Sequence, residues 1–260
     1  MTEEIKINRN GPIFELQIDR PKANAIDAAT SRKMGDAFLE FRDNKDFRVA
    51  IITGTGEKFF CAGWDLKAAA QGEAPDSDYG IGGWAGLQEL PNLNKPVIAA
   101  INGICCGGGL EWALCADIII SAQHATFALP EIKSGIIADA ATIKLPKRIP
   151  YHIAMELLFT GRWIDVHEAH KWGLVNEIVP ANNLMIRARE VAKHLASGPP
   201  LVFAAIKEIS RAAENSSFQE TLSKMFRKEF QTIQNLYGSE DQLEGAKAFS
   251  EKRDPVWKGK

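Results

Sequence analysis

Apolar and polar residues alternate at the start of the chain, on both sides of a turn signal. Five apolar residues occupy every second position in two short stretches: Ile5 and Ile7, then Phe14, Leu16 and Ile18. The pair Asn10-Gly11 between them is a preferred two-residue connection of a β-hairpin. The pattern therefore predicts an antiparallel pair of strands in this part of the chain.

The next patterns predict a helix and three buried strands. Apolar residues recur at the spacing of one helix face over residues 28–43. Continuous apolar runs, which are typical of strands buried on both faces, cover residues 49–52, 97–101 and 118–120. Helical patterns lie between these runs. The alternation predicts an α/β fold with a largely parallel sheet.

The pattern changes beyond about residue 190, where the strand signals stop. Residues 188–195 have helical spacing, residues 197–200 read Ser-Gly-Pro-Pro and break it, and amphipathic helical patterns follow. The charged tail carries two isolated aromatic residues, Phe249 and Trp257. We expect this helical segment, with its aromatic side chains exposed, to pack on another subunit.

Composition and charge exclude some classes of partner. The chain has 260 residues, of which 45% are apolar and 25% are charged, and this is the usual balance of a soluble globular protein. The formal net charge of -2 provides no general attraction to nucleic acid. We therefore expect no nucleic-acid partner.

Cysteine usage and hydropathy indicate a cytoplasmic protein without a membrane segment. None of the four cysteines belongs to a C-x-x-C pair, and we interpret all of them as reduced thiols: Cys61, Cys105, Cys106 and Cys115. The acidic first residues, 1–4, lack the apolar stretch of a signal peptide. The longest apolar stretch, residues 96–110, is interrupted by glycines and is too short to span a bilayer.

A run of glycines suggests a site for negative charge. Gly107, Gly108 and Gly109 allow the backbone to approach a ligand with no Cβ in the way. They lead into a helix start, where free N–H groups and the helix dipole favour a developing negative charge. Close packing of a helix on a sheet explains such a run equally well, so both interpretations stay open on the residues alone.

Two glutamates are candidates for proton transfer. Glu111 falls in the first turn of this apolar helix, where burial raises the pKa of a carboxyl group and prepares it for proton transfer. Glu131 follows Pro130, which holds it in a loop or at a helix start. Each glutamate is also an ordinary residue for a helix start, and the sequence alone does not bring the two together.

Several segments together resemble one enzyme family over nearly the whole chain. They are residues 21–25 (PKANA), 61–66 (CAGWDL), 107–111 (GGGLE) and 160–176, with the pair Pro130-Glu131. In combination they resemble the crotonase (enoyl-CoA hydratase/isomerase) family. The resemblance implies an α/β fold built as a crotonase-like spiral of ββα units, with a helical C-terminal trimerisation region.

The same resemblance implies a division of the chain and an assembly. Residues 1–195 would form the spiral core with the acyl-CoA site, and residues 196–260 would form the helical oligomerisation region. The expected assembly is a homotrimer or a dimer of trimers.

The resemblance also implies a reaction, the reversible hydration or dehydration of a short 2-enoyl-CoA thioester. The backbone N–H groups of Trp64 and Gly108 would donate hydrogen bonds to the thioester oxygen and stabilise an enolate. Glu111 and Glu131 would hold the water molecule and transfer its protons. Seven further residues would contact the substrate or its CoA part: Ala23, Ala25, Ala62, Asp65, Leu66, Trp84 and Asp139.

No metal or redox cofactor is expected, since CoA is part of the substrate. His167 and His170 lie three residues apart on a predicted helix. Without a third ligand nearby in the sequence, they are interpreted as surface histidines and not as a metal site.

Further segments, at residues 20–28, 63–70, 72–76 and 251–259, resemble one branch of the family, whose acyl groups carry a quaternary ammonium. Such a cation is attracted to the face of an aromatic ring. Four aromatic residues in or near the site segments are candidates for this contact, and each is equally well explained by core packing: Trp64, Tyr79, Trp84 and Trp112.

One segment departs from the family pattern. Ala138 stands where the family usually has a proline, and Ala141 and Thr142 stand where it has two glycines. We expect these side chains to narrow or reshape the acyl pocket. Asp139 occupies the position of a working carboxylate in the isomerases of the family, and the alternative is that it caps a helix.

Three other functions remain as alternatives. They are hydration of a different short enoyl-CoA, double-bond isomerisation with Asp139 or a glutamate as the proton carrier, and binding of CoA or RNA without catalysis. The intact glycine run, the two glutamates and the lack of basic excess argue against the last.

Overall fold

Two β-sheets form the centre of the fold. The computed structural model describes residues 4–260, so the expectation about a signal peptide, which used residues 1–4, falls almost wholly outside the described part. Within residues 4–260 there are ten strands: β1 (Ile5–Asn10), β2 (Ile13–Ile18), β3 (Val49–Gly54), β4 (Phe59–Cys61), β5 (Val97–Ile101), β6 (Ile104–Cys106), β7 (Ile118–Ala122), β8 (Thr126–Ala128), β9 (Ile164–Asp165) and β10 (Glu177–Val179).

The larger sheet has the strand order β1-β2-β3-β5-β7-β10, and the smaller sheet has the order β4-β6-β8-β9. Pairing is parallel except between β1 and β2 and between β8 and β9. In each of the pairs β3/β4, β5/β6 and β7/β8, the first strand joins the large sheet and the second joins the small one. A helical segment follows each pair, which produces the expected spiral of ββα units.

The described helices surround these sheets, and the last four complete the chain. They are α1 (Ala28–Asp43), α2 (Leu66–Ala70), α3 (Gly108–Ala113), α4 (Asp139–Lys144), α5 (Tyr151–Thr160), α6 (Val166–Lys171), α7 (Leu184–Ala196), α8 (Pro200–Ala213), α9 (Phe218–Phe226), α10 (Gln231–Leu236) and α11 (Glu240–Glu251). Short 3-10 turns cover Trp84–Gly86, Pro130–Ser134, Leu145–Lys147 and Ala181–Asn183.

The predictions from periodicity are confirmed. The hairpin forms with Asn10 opposite Ile13, and the strands predicted at 49–52, 97–101 and 118–120 are β3, β5 and β7. Helix α1 spans the predicted residues because Asp27 accepts a hydrogen bond from the Thr30 amide at its start, as an N-cap residue does. Its apolar face is buried in the core.

A second layer lies on the other face of the large sheet. Ala188 and Ala192 of α7 pack against Val49, Ile51 and Ile98 of β3 and β5. Both faces of the central strands are therefore covered, which explains their continuous apolar sequence.

The C-terminal region is helical, as predicted, and its aromatic residues differ in exposure. Phe249 is 88% exposed, whereas Trp257 is only half-exposed because its ring packs on α11 at Gly245. The expectation that both are exposed is wrong for Trp257. The division at residue 195 and the packing on another subunit stay predictions. Over residues 4–260, no helix is both long enough and apolar enough to cross a bilayer.

Candidate active site

Two corresponding segments leave the small sheet side by side. Residues 62–65 connect β4 to α2, and Gly107 connects β6 to α3; β4 and β6 are parallel neighbours. The segments touch at Gly63, where an added Cβ would lie 2.8 Å from the Gly108 nitrogen. Gly63 also has a φ of 93°, which other residues rarely adopt. Glycine is therefore required for this close approach.

The contact brings two unpaired amides to one place. The Ile26 amide donates to the Gly63 carbonyl at 2.8 Å, and the Asp65 amide donates to the Ile26 carbonyl at 2.9 Å. Because these bonds flank Trp64, its own N–H faces away from Ile26. Gly108 is the first residue of α3, where an N–H has no acceptor within the helix. Neither amide has an acceptor anywhere in residues 4–260.

A cavity of about 220 Å³ opens beside these amides. It is lined by eight of the eleven residues predicted for the site: Ala62, Trp64, Leu66, Trp84, Gly108, Glu111, Glu131 and Asp139. The structure thus brings together the two segments, both glutamates and Asp139, which are far apart in the sequence.

The other three predicted residues lie beside this cavity and outside its lining. Ala23 accepts a hydrogen bond from the Ala62 amide at 3.0 Å, and the Ala25 carbonyl accepts one from Arg20 at 2.6 Å. The Asp65 carboxylate accepts from the Lys67 amide at 2.9 Å and pairs with Arg20 at 3.2 Å. These contacts support the segment that carries Trp64, and contact with the substrate stays a prediction for all three.

Glu111 is a buried carboxyl group in the first turn of α3, as predicted. Burial raises its pKa to about 7, with smaller contributions from the charges of Glu131 and Asp139. The Ala141 amide opposes this shift by donating to Glu111 Oε1 at 2.9 Å. Glu111 therefore changes its protonation state near neutral pH, which suits a proton-transfer group.

Glu131 lies in the 3-10 turn Pro130–Ser134, which agrees with the predicted helix start. Burial raises the pKa of this carboxyl group, and the charge of Asp139 adds to the effect. Its Oε2 atom is buried and has no hydrogen-bond partner among the described residues. The other carboxylate oxygen lies beside Gly107, where an added Cβ would be 3.0 Å from it. Glu131 is therefore held next to the second amide segment.

The departing segment around Asp139 behaves differently from expectation. Asp139 is the first residue of α4, and Ala138 is at the N-cap position, so the helix-cap alternative is wrong. Neither Ala141 nor Thr142 lines the cavity, so their side chains do not narrow it, and a reshaped acyl pocket stays a prediction. Ala141 is buried in the core, and its contribution to the site is the amide that binds Glu111.

The four aromatic candidates divide into two groups. Trp64, Tyr79 and Trp84 line the cavity. Trp112 is fully buried and stacks on Phe60 at a centroid distance of 4.9 Å, so it is a core residue and the candidate contact is wrong for it. Three rings are therefore available to a cationic group in the cavity.

The charge of the lining is uniformly acidic. The ionisable side chains of the lining are four acids and the phenol of Tyr79, and no lysine or arginine is among them; the acids are Glu89, Glu111, Glu131 and Asp139. Burial, and then the charges of Glu73, Asp76 and Asp139, raise the pKa of Tyr79 to about 12. The cavity thus favours a positively charged group over a negative one.

Two supporting residues are absent from the sequence-based predictions. Glu73 accepts a hydrogen bond from the Trp64 indole at 2.7 Å and another from the Ala28 amide at 3.0 Å. Arg20 contacts Ala25, Asp27 and Asp65. Both residues lie in segments that resemble one branch of the family, residues 20–28 and 72–76, but only the folded chain identifies this supporting role. No group of three or more potential metal ligands is present among the described residues.

Comparisons with known proteins find similar sequences over the whole chain. The sequence profile of the enoyl-CoA hydratase/isomerase family matches residues 8–260. A carnitinyl-CoA dehydratase of Salmonella paratyphi A is 54% identical over 261 residues, covering 100% of both chains. Another carnitinyl-CoA dehydratase, from Salmonella arizonae, is 55% identical, again over 100% of both chains.

Solved structures with the same fold are also similar in sequence. An enoyl-CoA hydratase from Mycobacterium tuberculosis superposes with a TM-score of 0.90 at 36% identity, covering 99% of each chain. An enoyl-CoA hydratase from Bacillus anthracis gives a TM-score of 0.88 at 33% identity, covering 99% of this chain and 100% of that one.

Proposed function

The chain belongs to the enoyl-CoA hydratase/isomerase family, and we propose that it catalyses the reversible addition of water to crotonobetainyl-CoA, giving carnitinyl-CoA. One observation carries the reaction type: two unpaired amides, the buried carboxyl group of Glu111 and the half-buried carboxyl group of Glu131 line the same cavity. The relatives named carnitinyl-CoA dehydratase support the substrate.

The amides of Trp64 and Gly108 act on the thioester oxygen. When water adds to the β-carbon, the electrons of the double bond move towards the carbonyl and place negative charge on this oxygen. Two preset N–H donors stabilise that charge, and one such donor contributes about 2.7–4 kcal/mol in a comparable case.

Glu111 and Glu131 transfer the protons. One carboxylate accepts a proton from water as the water oxygen bonds to the β-carbon, and the other carboxyl group donates a proton to the α-carbon. The substrate thus gains one water molecule. The starting protonation states of the two glutamates are restored when the proton passes between them or exchanges with solvent. Because the two groups interact, they titrate as a pair.

The lining supports a cationic acyl group. In crotonobetainyl-CoA the ammonium nitrogen is bonded to the carbon next to the reacting β-carbon, so it has to lie in the same cavity. Trp64, Tyr79 and Trp84 line the cavity, and the face of an aromatic ring attracts a quaternary ammonium. The acids at positions 89 and 139 provide negative charge, with no competing basic side chain in the lining.

The test compares two substrates that differ in this charge. The absorbance of the enoyl thioester is followed after the enzyme is mixed with crotonobetainyl-CoA or with crotonyl-CoA. We expect rapid loss with the first and slow loss with the second. Equal loss with both identifies a general short-chain hydratase, and no loss with either contradicts hydration.

Glu111→Gln tests the proton-transfer role. The variant keeps an acceptor for the Ala141 amide but has no ionisable group, and we expect kcat to fall by roughly 10²- to 10⁴-fold, the usual contribution of general acid–base catalysis. Binding of CoA should persist, as measured by calorimetry. A wild-type rate in this variant would contradict the assignment.

A second candidate function is double-bond isomerisation, which the carboxylate of Asp139 in the cavity favours. A 3-enoyl-CoA converted to the 2-enoyl isomer without net uptake of water would identify it. An Asp139→Asn variant that loses this conversion while keeping hydration would assign the two activities to different carboxylates.

The cofactor, assembly and location belong to the same proposal. CoA enters as part of the substrate, and no metal or redox group takes part in the steps above. The homotrimer or dimer of trimers and the cytoplasmic location stay predictions. Light scattering of the purified protein tests the assembly.

A further inference from the structure

The segment that carries Trp64 is attached to a strip of backbone from the N-terminal part of the chain. Three hydrogen bonds join residues 23–26 to residues 62–65: Ala62 N to Ala23 O at 3.0 Å, Ile26 N to Gly63 O at 2.8 Å, and Asp65 N to Ile26 O at 2.9 Å. The position of the Trp64 amide therefore depends on the position of this strip.

One guanidinium group connects the strip to the segment. Arg20 Nη1 donates to the Ala25 carbonyl at 2.6 Å, and Nη2 donates to Asp27 Oδ2 at 2.6 Å. The same Nη2 lies 3.2 Å from Asp65 Oδ2. Arg20 thus contacts the residues before and after Ile26 and also the residue after Trp64. It holds both sides of the contact from which the Trp64 amide projects.

The contacts of Arg20 are shielded from solvent and directional, so they hold the neighbouring backbone in place. Its side chain is 17% exposed, so solvent screens these interactions less than those of a surface ion pair. The backbone of Arg20 is also held, since its carbonyl accepts from the Asn24 amide at 2.8 Å and its amide donates to Asn24 Oδ1 at 3.2 Å. A planar guanidinium makes several bonds in fixed directions, and a lysine ammonium in its place does not.

We infer that Arg20 is a positioning residue, which holds the backbone amide of Trp64 where the thioester oxygen accepts its hydrogen bond. Arg20 does not line the cavity, so it acts through residues 25, 27 and 65 and not on the substrate. This inference rests on the proposed function, because it assigns Arg20 to the oxyanion contact of that reaction.

The kinetic test compares Arg20→Gln and Arg20→Lys with a matched control. Displacing a catalytic group by about 1 Å costs on the order of 100-fold in rate, and we expect kcat of Arg20→Gln to fall by roughly 10- to 100-fold. KM should change less than kcat, because the amide's hydrogen bond is stronger once the thioester oxygen carries negative charge than in the ground state. Arg20→Lys should retain an intermediate rate, since it keeps the charge but not the planar set of bonds.

The control is Arg9→Lys. Arg9 also makes a two-bond pair with a carboxylate, at 2.7 and 2.6 Å from Glu40, but it lies outside the cavity lining and outside the strip. We expect its kcat and KM to equal those of the wild type. A rise in KM alone in the Arg20 variants, or equal kcat in the Arg20 and Arg9 variants, would overturn the inference.

A spectroscopic measurement separates this inference from the proposed function. Butyryl-CoA has no double bond and cannot be hydrated, but its thioester carbonyl accepts the same hydrogen bonds. Its stretching frequency in difference infrared spectra should fall on binding to the wild type, and this shift should be smaller in Arg20→Gln and unchanged in Arg9→Lys.

The outcomes are distinguishable. If the wild type hydrates no enoyl-CoA, the proposed function fails, and the butyryl-CoA shift still tests Arg20. If hydration occurs but the shift is the same in wild type and Arg20→Gln, the inference is wrong. If Arg20→Gln does not fold, the same measurement is made on Asp65→Asn. This variant removes the ionic contact between Arg20 and residue 65 and leaves the other bonds of Arg20 in place.

Discussion

The two strand-to-helix segments at the cavity occupy equivalent places in the fold but are held by different combinations of contacts. The Gly107–Gly109 segment is fixed by close packing: added Cβ atoms would lie 2.6 Å from the Trp84 ring at Gly108 and 2.1 Å from the Cys61 carbonyl at Gly109. The 62–65 segment is fixed by hydrogen bonds and by the ion pair of Asp65 with Arg20. Close packing and backbone hydrogen bonds thus hold both amide donors, and only the 62–65 segment also depends on an ion pair.

Each segment also has a carboxylate at the start of its helix, and the two carboxylates differ in whether a cation neutralises them. Asp65 precedes α2 and is paired with Arg20, so its charge is compensated. Glu111 lies in the first turn of α3, is buried, and has no cation within bonding distance among residues 4–260. The first carboxylate therefore stabilises the local structure, whereas the second is available for chemistry because it is not neutralised.

Gly109→Ala is the substitution in the Gly107–Gly109 segment from which we expect the largest loss of stability. Its Cβ would collide with backbone atoms of Cys61, which have no freedom to rotate away, and we expect the free energy of unfolding to fall by roughly 3 kcal/mol, with hydratase activity lost. Urea denaturation and the absorbance assay measure the two effects.

Gly35→Ala is the matched control for this substitution. Gly35 lies inside α1, and its nearest contact to an added Cβ is an ordinary 3.5 Å. Because alanine favours a helix over glycine by about 1 kcal/mol, we expect this variant to be at least as stable as the wild type. Similar losses in both variants would show that packing at residue 109 is not special.

The raised pKa of Glu111 should make the stability of the protein depend on pH. Burial raises the pKa of Glu111 from 4.5 to about 7 in the folded protein, so the folded state holds this proton at pH values where the unfolded chain has released it. Stability from Glu111 is therefore full below pH 4.5 and is lost as pH rises through 7. Glu111→Gln should be more stable than the wild type at pH 8, by on the order of 3 kcal/mol.

Asp65→Asn is compared with Glu111→Gln, because Asp65 is paired with a cation and Glu111 is not. It leaves Arg20 with one carboxylate partner fewer, so we expect a loss of stability at pH 8 of about 1 kcal/mol or less for this partly exposed pair. Denaturation of both variants at pH 5 and pH 8 is the measurement. A stability gain for Glu111→Gln that is the same at both pH values would contradict the raised pKa.

The smallest expected effect concerns the ring of Trp64. Glu73→Gln replaces a charge-assisted acceptor of the Trp64 indole, now at 2.7 Å, by a neutral one, at a cost of about 1 kcal/mol. Because the ring lines the cavity and does not donate to the thioester oxygen in the proposed reaction, we expect KM to rise up to about 5-fold with kcat nearly constant. Steady-state kinetics with crotonobetainyl-CoA test this, and a fall in kcat alone would contradict it.

Much of the fold follows from local patterns in the sequence. Period-two alternation around Asn10-Gly11 predicts the hairpin, and helical spacing predicts α1 over the residues it occupies. The apolar runs predict β3, β5 and β7. These signals are local because side-chain direction repeats every two residues in a strand and about every 3.6 in a helix. The motifs at 61–66, 107–111 and 131 likewise indicate the site before any coordinates.

What only the tertiary structure decided is which distant groups meet. Glu111 receives the amide of Ala141, 30 residues further along the chain, and the ring of Trp112 turns out to lie in the core and not in the cavity. Arg20 and Glu73 lie in segments that resemble one branch of the family, but the sequence does not indicate their contacts with the Trp64 segment. Such contacts depend on how the chain closes around the two sheets, because a hydrogen bond or an ion pair is specified by distance and direction in space and leaves no period in the sequence.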